Sequence, residues 1–272
     1  MSDLGYFGPD SVTWRVLTDP ASGIGGIRSL FLQALHPLAM AGVDEHSTFA
    51  IDFWGRMQRT GDYVLTVAFG TTEQADAAAA RVRRIHPHVR GTDPVTGKHY
   101  RADDPELLRW VHIAEMESFV DCVRRAGAGL SAADVDRFYA EQVVAARLIG
   151  VQDEPTTDAE VQEYYRGVQP DLRSSRVADA ASARLLLAPL PRGLDVLRPA
   201  WTSIASVGLA ALPGWARRLY GLPGSRAAEI AADVSMRAVR TAALAIPRSR
   251  RLGPAALDGL ARATAAGFPA AA

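Results

Sequence analysis

The sequence predicts an all-α protein, and three observations carry that expectation. Helical periodicity dominates its 272 residues, helix-start signatures recur along it, and strand signals are scarce. The best strand candidate is YVLTVAFG (63–70), rich in β-branched and aromatic side chains and ended by Gly70. It can equally continue the helix before it. No internal repeat is visible. With 48% hydrophobic residues, the chain is long enough for one multi-helix domain over residues 1–272, built on a single core.

After SGIGG a helix is expected over 27–41, broken by Gly42. Pro37 within it removes one N–H bond and frees the Gln33 carbonyl, which predicts a kink. A second helix covers 47–60, with Asp44 or Ser47 as its cap. A third is opened by the Thr71-x-x-Gln74 capping box and runs to residue 85. Residues 86–105, dense in Gly, Pro and Asp, read as a polar loop. The best-marked helix spans 104–126, with Asp104 as N-cap, Pro105 at N1 and Glu106 in the first turn. Ser131 and Asp134 start the next helix, which ends at Gly150. Further helices are expected at 157–167, 174–188, 192–211, 224–246 and 253–266.

Formal net charge is zero, so electrostatics points to no nucleic-acid partner. Lys98 is the only lysine among 30 basic residues, a bias that fits GC-rich coding better than phosphate recognition. One cysteine, Cys122, excludes an intrachain disulfide and a cysteine-rich zinc site. The N-terminus lacks the basic and apolar regions of a signal peptide, so a cytoplasmic location is the expectation. The uncharged stretch 199–216 contains two prolines and two glycines. It reads as a buried helix or an interfacial hairpin with peripheral membrane contact, not as a membrane span.

On a helical wheel of 104–126, positions 108, 111, 112, 115, 119, 122 and 123 share one face. His112 and Glu115 interrupt that apolar stripe at i, i+3. Burying either requires a partner, so they are a satisfied polar pair or His112 is a metal ligand oriented by a hydrogen-bond acceptor on its other nitrogen. Glu-x-x-His and His-Glu-x-x-His are absent, which excludes a carboxylate-bridged di-iron bundle and a zincin. A haem asks less: one axial histidine and an apolar slot. Arg56 and Thr60 share a helix face; they could stabilise an oxygen species, or Arg56 could pair with Asp52 at the surface. His36 and His46 flank the proline corner, near Asp44 and Glu45. The loop histidines His86, His88 and His99 are commonplace solvated side chains, although His86-Pro87-His88 could hold a metal weakly.

The segments LFLQALHPLAMAGVDEHSTF, GRMQRT, VAFGTTEQADAAAARVRRIHPHVRG and YRADDPELLRWVHIAEMESF together resemble the DUF2236 family, also called the MpaB/rubber-oxygenase catalytic domain family. The likeness is continuous over about 20–150 and extends more weakly through LPGWARRLYGL, giving a family core of about 20–220. It implies a globin-reminiscent all-α fold around haem b. Latex-clearing relatives use oxygen to cleave polyisoprene double bonds, and fungal relatives act on prenyl chains. The family's proximal ligand lies in Arg-x-x-His, which Arg109-Trp110-Val111-His112 matches. The resemblance therefore implies His112 on the iron, with Arg109 and His36 beside the cofactor. The distal Arg-x-x-Lys-Thr is matched by Arg56-Met57-Gln58-Arg59-Thr60. Because arginine stays protonated, a lysine-capped state is unavailable here. The distal base of the family corresponds to Glu45, with His46 as its substitute.

These readings imply a haem b-dependent (iron) oxygenase acting with O2 on a hydrophobic, isoprenoid- or lipid-like molecule. Two alternatives stand beside it. One is a haem protein without oxygenase turnover; the other is a non-enzymatic helical module that binds an apolar ligand or a membrane surface through 199–216.

Overall fold

Proline ends the first long helix instead of bending it. In the computed structural model, which describes residues 3–47, 51–191 and 193–269, α1 covers Val12–Thr18, α2 covers Ala21–Gln33 and α3 starts afresh as Pro37–His46. His36 is extended, with φ −89° and ψ 113°, the backbone that a proline favours in its predecessor. The expected kinked helix 27–41 is therefore two helices, and Gly42 lies inside the second. The helix expected at 47–60 is shifted to α4, Phe53–Phe69; residues 48–50 fall outside the described ones. It takes in the YVLTVAFG stretch, whose Val67, Ala68 and Phe69 are buried in the core. Packing overrides strand propensity there.

The capping signals are realised. Thr71 and Gln74 form the capping box of α5 (Thr72–Ile85). Asp104 caps α6 (Pro105–Arg125) by accepting from the Glu106 and Leu107 N–H groups. Ser131 and Asp134 box the start of α7 (Ala132–Ile149), which ends on Gly150 in the left-handed region at φ 96°. The loop between α5 and α6 holds more order than expected. After a 3₁₀ turn at His86–His88, β1 (Arg90–Thr92) and β2 (His99–Arg101) pair antiparallel, with Gly91 opposite Tyr100.

The second half adds α8 (Asp158–Val168), α9 (Arg176–Leu186), α10 (Arg198–Ala210), α11 (Gly214–Leu219), α12 (Arg226–Leu244), α13 (Arg248–Arg251) and α14 (Pro254–Ala265). Of the fourteen helices among the described residues, the short α1, α11 and α13 were not expected. The main core cluster draws on residues from α1 through α14, and the protein is all-α apart from the small hairpin.

α2 and α6 form its centre. A Cβ on Gly25 would lie 2.6 Å from the Ser118 carbonyl oxygen and 2.8 Å from Phe119 Cα, so glycine lets the two backbones meet. Next to it, the buried Arg28 guanidinium donates to both Glu117 oxygens (2.5 and 3.0 Å), to Ser118 Oγ (2.6 Å) and to the Ala211 carbonyl (3.1 Å). The Tyr165 hydroxyl also donates to Glu117. This network satisfies a buried charge and joins α2, α6, α8 and the end of α10. Residues 199–216 serve the same centre: Ala205, Gly208, Ala211, Leu212 and Ala216 are all buried. These positions pack into the core, in keeping with the buried-helix reading of the stretch. Among the described residues, no helix is long and apolar enough to cross a membrane.

Candidate active site

Arg56 turns inward because Asp52 is already occupied. Asp52 caps α4 through the Gly55 N–H and pairs with Arg59 at 3.0 Å, so the surface pair weighed for Arg56 does not form. Arg56 instead donates to the Thr60 hydroxyl one turn along α4, and Thr60 Oγ1 donates back to the Arg56 carbonyl at 3.1 Å. The carboxylate acting on Arg56 is Glu115 of α6. Burial raises the Glu115 carboxyl to about 7, against the opposing pull of Arg56. Tyr63, three residues beyond Thr60, feels the same carboxylate, and burial pushes its phenol up. The fifth member is His86, in the turn after α5. Burial lowers its imidazole, Asp103 opposes that, and the Arg56 charge lowers it further.

Two apolar side chains close in sequence to Glu115 and His86 are exposed. Val111, one turn before Glu115 on α6, is 36% exposed, and Ile85 beside His86 is 52% exposed. The α6 stripe is therefore less buried than its wheel implied, while Trp110, Ile113, Ala114 and Val120 are almost wholly enclosed.

His112 looks elsewhere. At about 100° per residue, it and Glu115 are offset by roughly 60° around α6. Its side chain is 5% exposed, and Nε2 lies 3.5 Å from Oε1 of Glu154, also 5% exposed. The ring hydrogen-bonds to the Gln142 backbone, and Nε2 has no hydrogen-bond partner among the described residues. Burial lowers His112 to about 4 and raises Glu154 to about 8, the latter moderated by Arg109. At neutral pH the ring is thus neutral and the carboxyl protonated. Arg109 joins this group with its guanidinium 4.8 Å from the Tyr164 ring centre. Buried Arg109 Nε and Glu154 Oε2 also have no hydrogen-bond partner among the described residues.

The remaining expected residues serve the hairpin corner. Tyr100 donates to Glu45 at 2.5 Å, and His46 Nε2 lies 3.2 Å from the Arg90 carbonyl. Glu45 and His46 are thus engaged by β1 and β2, strands the sequence did not reveal. His36 packs on Trp110 with ring centres 5.9 Å apart, and its Nδ1 is buried with no hydrogen-bond partner among the described residues. The expected set therefore divides into Arg56 with Thr60, Arg109 with His112, and Glu45 with His46.

Sequence reasoning missed His86, Tyr63 and Glu154 as members of these groups, and took Glu115 only as the companion of His112. A signal for His86 was present: Arg83-Arg84-Ile85-His86 repeats the Arg-x-x-His pattern closer along the chain to Thr60. Among the described residues, no group of three or more His, Cys, Asp or Glu side chains could hold a metal ion. A cofactor that carries its own metal ligands needs only one such side chain.

A family model described as ER-bound oxygenase mpaB/B'/Rubber oxygenase, catalytic domain, matches residues 14–241. No curated protein and no solved structure matches the chain.

Proposed function

This chain belongs to the ER-bound oxygenase mpaB/B'/rubber oxygenase catalytic-domain family, and from that premise we propose a haem b-dependent oxygenase that acts with O2 on a hydrophobic, isoprenoid- or lipid-like molecule. The observation that carries this reading is the group formed by Arg56, Thr60, Glu115 and His86. A neutral imidazole and a carboxyl that titrates near neutrality both feel the charge of the Arg56 cation. That donor set fits a haem, which needs one axial imidazole and apolar walls. His86 would hold the iron. When bound, haem b supplies the redox centre that activates dioxygen.

The chain's own groups then have distinct tasks. Arg56 remains cationic and directs N–H donors toward developing negative charge. Thr60 fixes the Arg56 side chain. Glu115, with its carboxyl at about 7, takes a proton on a carboxylate oxygen at neutral pH. Val111 and Ile85 offer apolar contact to a substrate without polar groups. The family includes rubber oxygenase in its description, which supports the hydrophobic substrate class.

A second reading puts the iron on His112. It is favoured by the ring's bond to Gln142 and by its buried, unpartnered Nε2, an orientation typical of metal-bound histidine. Glu154 would have to move away.

Purified protein reconstituted with haem should show a Soret band. His86→Ala should lose tight haem retention and His112→Ala should keep it; the reverse result selects the second reading. Absence of a Soret band in the wild type sinks both. Oxygen uptake with polyprenyl substrates tests turnover, and its absence from haem-loaded protein leaves a haem protein without oxygenase activity.

A further inference from the structure

We propose that Tyr165 is a one-electron redox site, joined to α6 by Trp110 and to the surface by Trp215, that carries oxidising equivalents out of the interior. The Trp110 and Tyr165 ring centres are 6.2 Å apart, and those of Tyr165 and Trp215 are 5.6 Å apart. These are the separations of aromatic rings in contact, across which an electron passes readily. Exposure grows along the path. Trp110 is wholly buried and Tyr165 is 2% exposed, whereas Trp215 is only partly buried.

Hydrogen bonding decides where the missing electron comes to rest. An oxidised phenol is a strong acid, and the Tyr165 hydroxyl donates to Glu117 Oε2 at 3.2 Å. Burial raises the Glu117 carboxyl against the pull of Arg28, which favours its taking a proton. Arg28 keeps a carboxylate even then, because Asp121 lies 3.5 Å away. Loss of one electron from Tyr165 therefore moves its O–H proton to Glu117 and leaves two neutral groups, a phenoxyl radical and a carboxylic acid. Trp110 has no such outlet: its N–H donates to the Gln33 carbonyl, and an amide does not take the proton. Oxidised Trp110 is a buried cation, which is costly, and it is neutralised by an electron from Tyr165. The Arg109 guanidinium, 4.8 Å from the Tyr164 ring centre, opposes electron loss from that neighbouring ring. An electron from a reductant in solvent reaches Tyr165 across Trp215, and Glu117 returns the proton.

The oxidant is a one-electron acceptor at the haem of the proposed oxygenase, so the biological use of the relay rests on that reading. Trp110 shares α6 with Glu115 and His112, and the relay thus starts on a helix common to both readings of the iron site. An oxidising equivalent not spent on substrate would leave by this route to a thiol or ascorbate.

The relay itself is tested without haem. A photogenerated ruthenium polypyridyl oxidant takes an electron from the full chain, and electron paramagnetic resonance of frozen samples separates tyrosyl from tryptophanyl radicals. Wild type should give a tyrosyl signal, most of which is lost in Tyr165→Phe and in Trp215→Phe. Glu117→Gln should replace it with a tryptophanyl signal. Circular dichroism checks the fold of each variant, and the partly buried Trp215 is the mildest of the three changes. A tyrosyl signal of wild-type size in Tyr165→Phe or in Trp215→Phe overturns the proposal. In a second arm, hydrogen peroxide is added to haem-loaded protein with a spin trap, and mass spectrometry should find the adduct on Trp215 in wild type but not in Tyr165→Phe. Equal adduct in both overturns the link to the interior. A missing Soret band removes the haem reading alone, and the photochemical arm still decides the relay.

Discussion

Glu154 Oε1 lies 3.5 Å from His112 Nε2, and both side chains are almost fully buried. Their ionisations oppose each other in pH. Glu154 is raised from 4.5 to about 8, so the folded state binds its proton more tightly and stability falls as pH climbs through that window. His112 is lowered from 6.5 to about 4, so its contribution rises with pH over that lower window and is complete by 6.5. Between pH 7 and 8 the Glu154 effect should dominate this pair, and the wild-type melting temperature should drop. Glu154→Gln should flatten that drop, as thermal melts at several pH values would show; an unchanged slope would remove Glu154 from the account.

Glu115 gives the proposed activity its pH dependence. Oxygen uptake should rise with pH through about 7 as the carboxyl ionises. Glu115→Gln should abolish that limb and lower turnover by about 10²- to 10⁴-fold. Arg56 lowers the Glu115 pKa, so Arg56→Gln should move the limb to higher pH in whatever activity remains. A wild-type profile with no limb near neutrality would argue against Glu115 as the base.

Arg28 is the most consequential charge in the core. Arg28→Met should cost about 3–5 kcal/mol, because it strands the buried Glu117 carboxylate that Arg28 holds. Adding Glu117→Gln should recover part of the loss. Urea unfolding midpoints of the single and double variants measure both steps.

Two glycines of α2 should behave in opposite ways. Gly25→Ala drives a methyl into the α6 backbone and should destabilise by about 1–3 kcal/mol. Gly23 has nothing within 4 Å of an added Cβ, and Gly23→Ala should stabilise by about 0.5–1 kcal/mol through helix propensity. Chemical denaturation of the two variants tests the contrast.

The sequence by itself determined the helical class, the capped starts of α5, α6 and α7, and the pairing of Arg56 with Thr60. These depend on neighbours within one or two turns, where spacing and cap chemistry decide the outcome. His112 was legible as a buried polar side chain, but its partner was not, because Glu154 is separated from it by all of α7. The same holds for Glu45, whose Tyr100 partner belongs to a hairpin with three-residue strands that carry little periodic signal. Only tertiary packing brought Glu115 and His86 within electrostatic reach of Arg56 and turned 199–216 toward α2. Which face of a helix meets which neighbour is a long-range choice, made by backbone approach at Gly25 and Gly208 and by the charges buried between the helices.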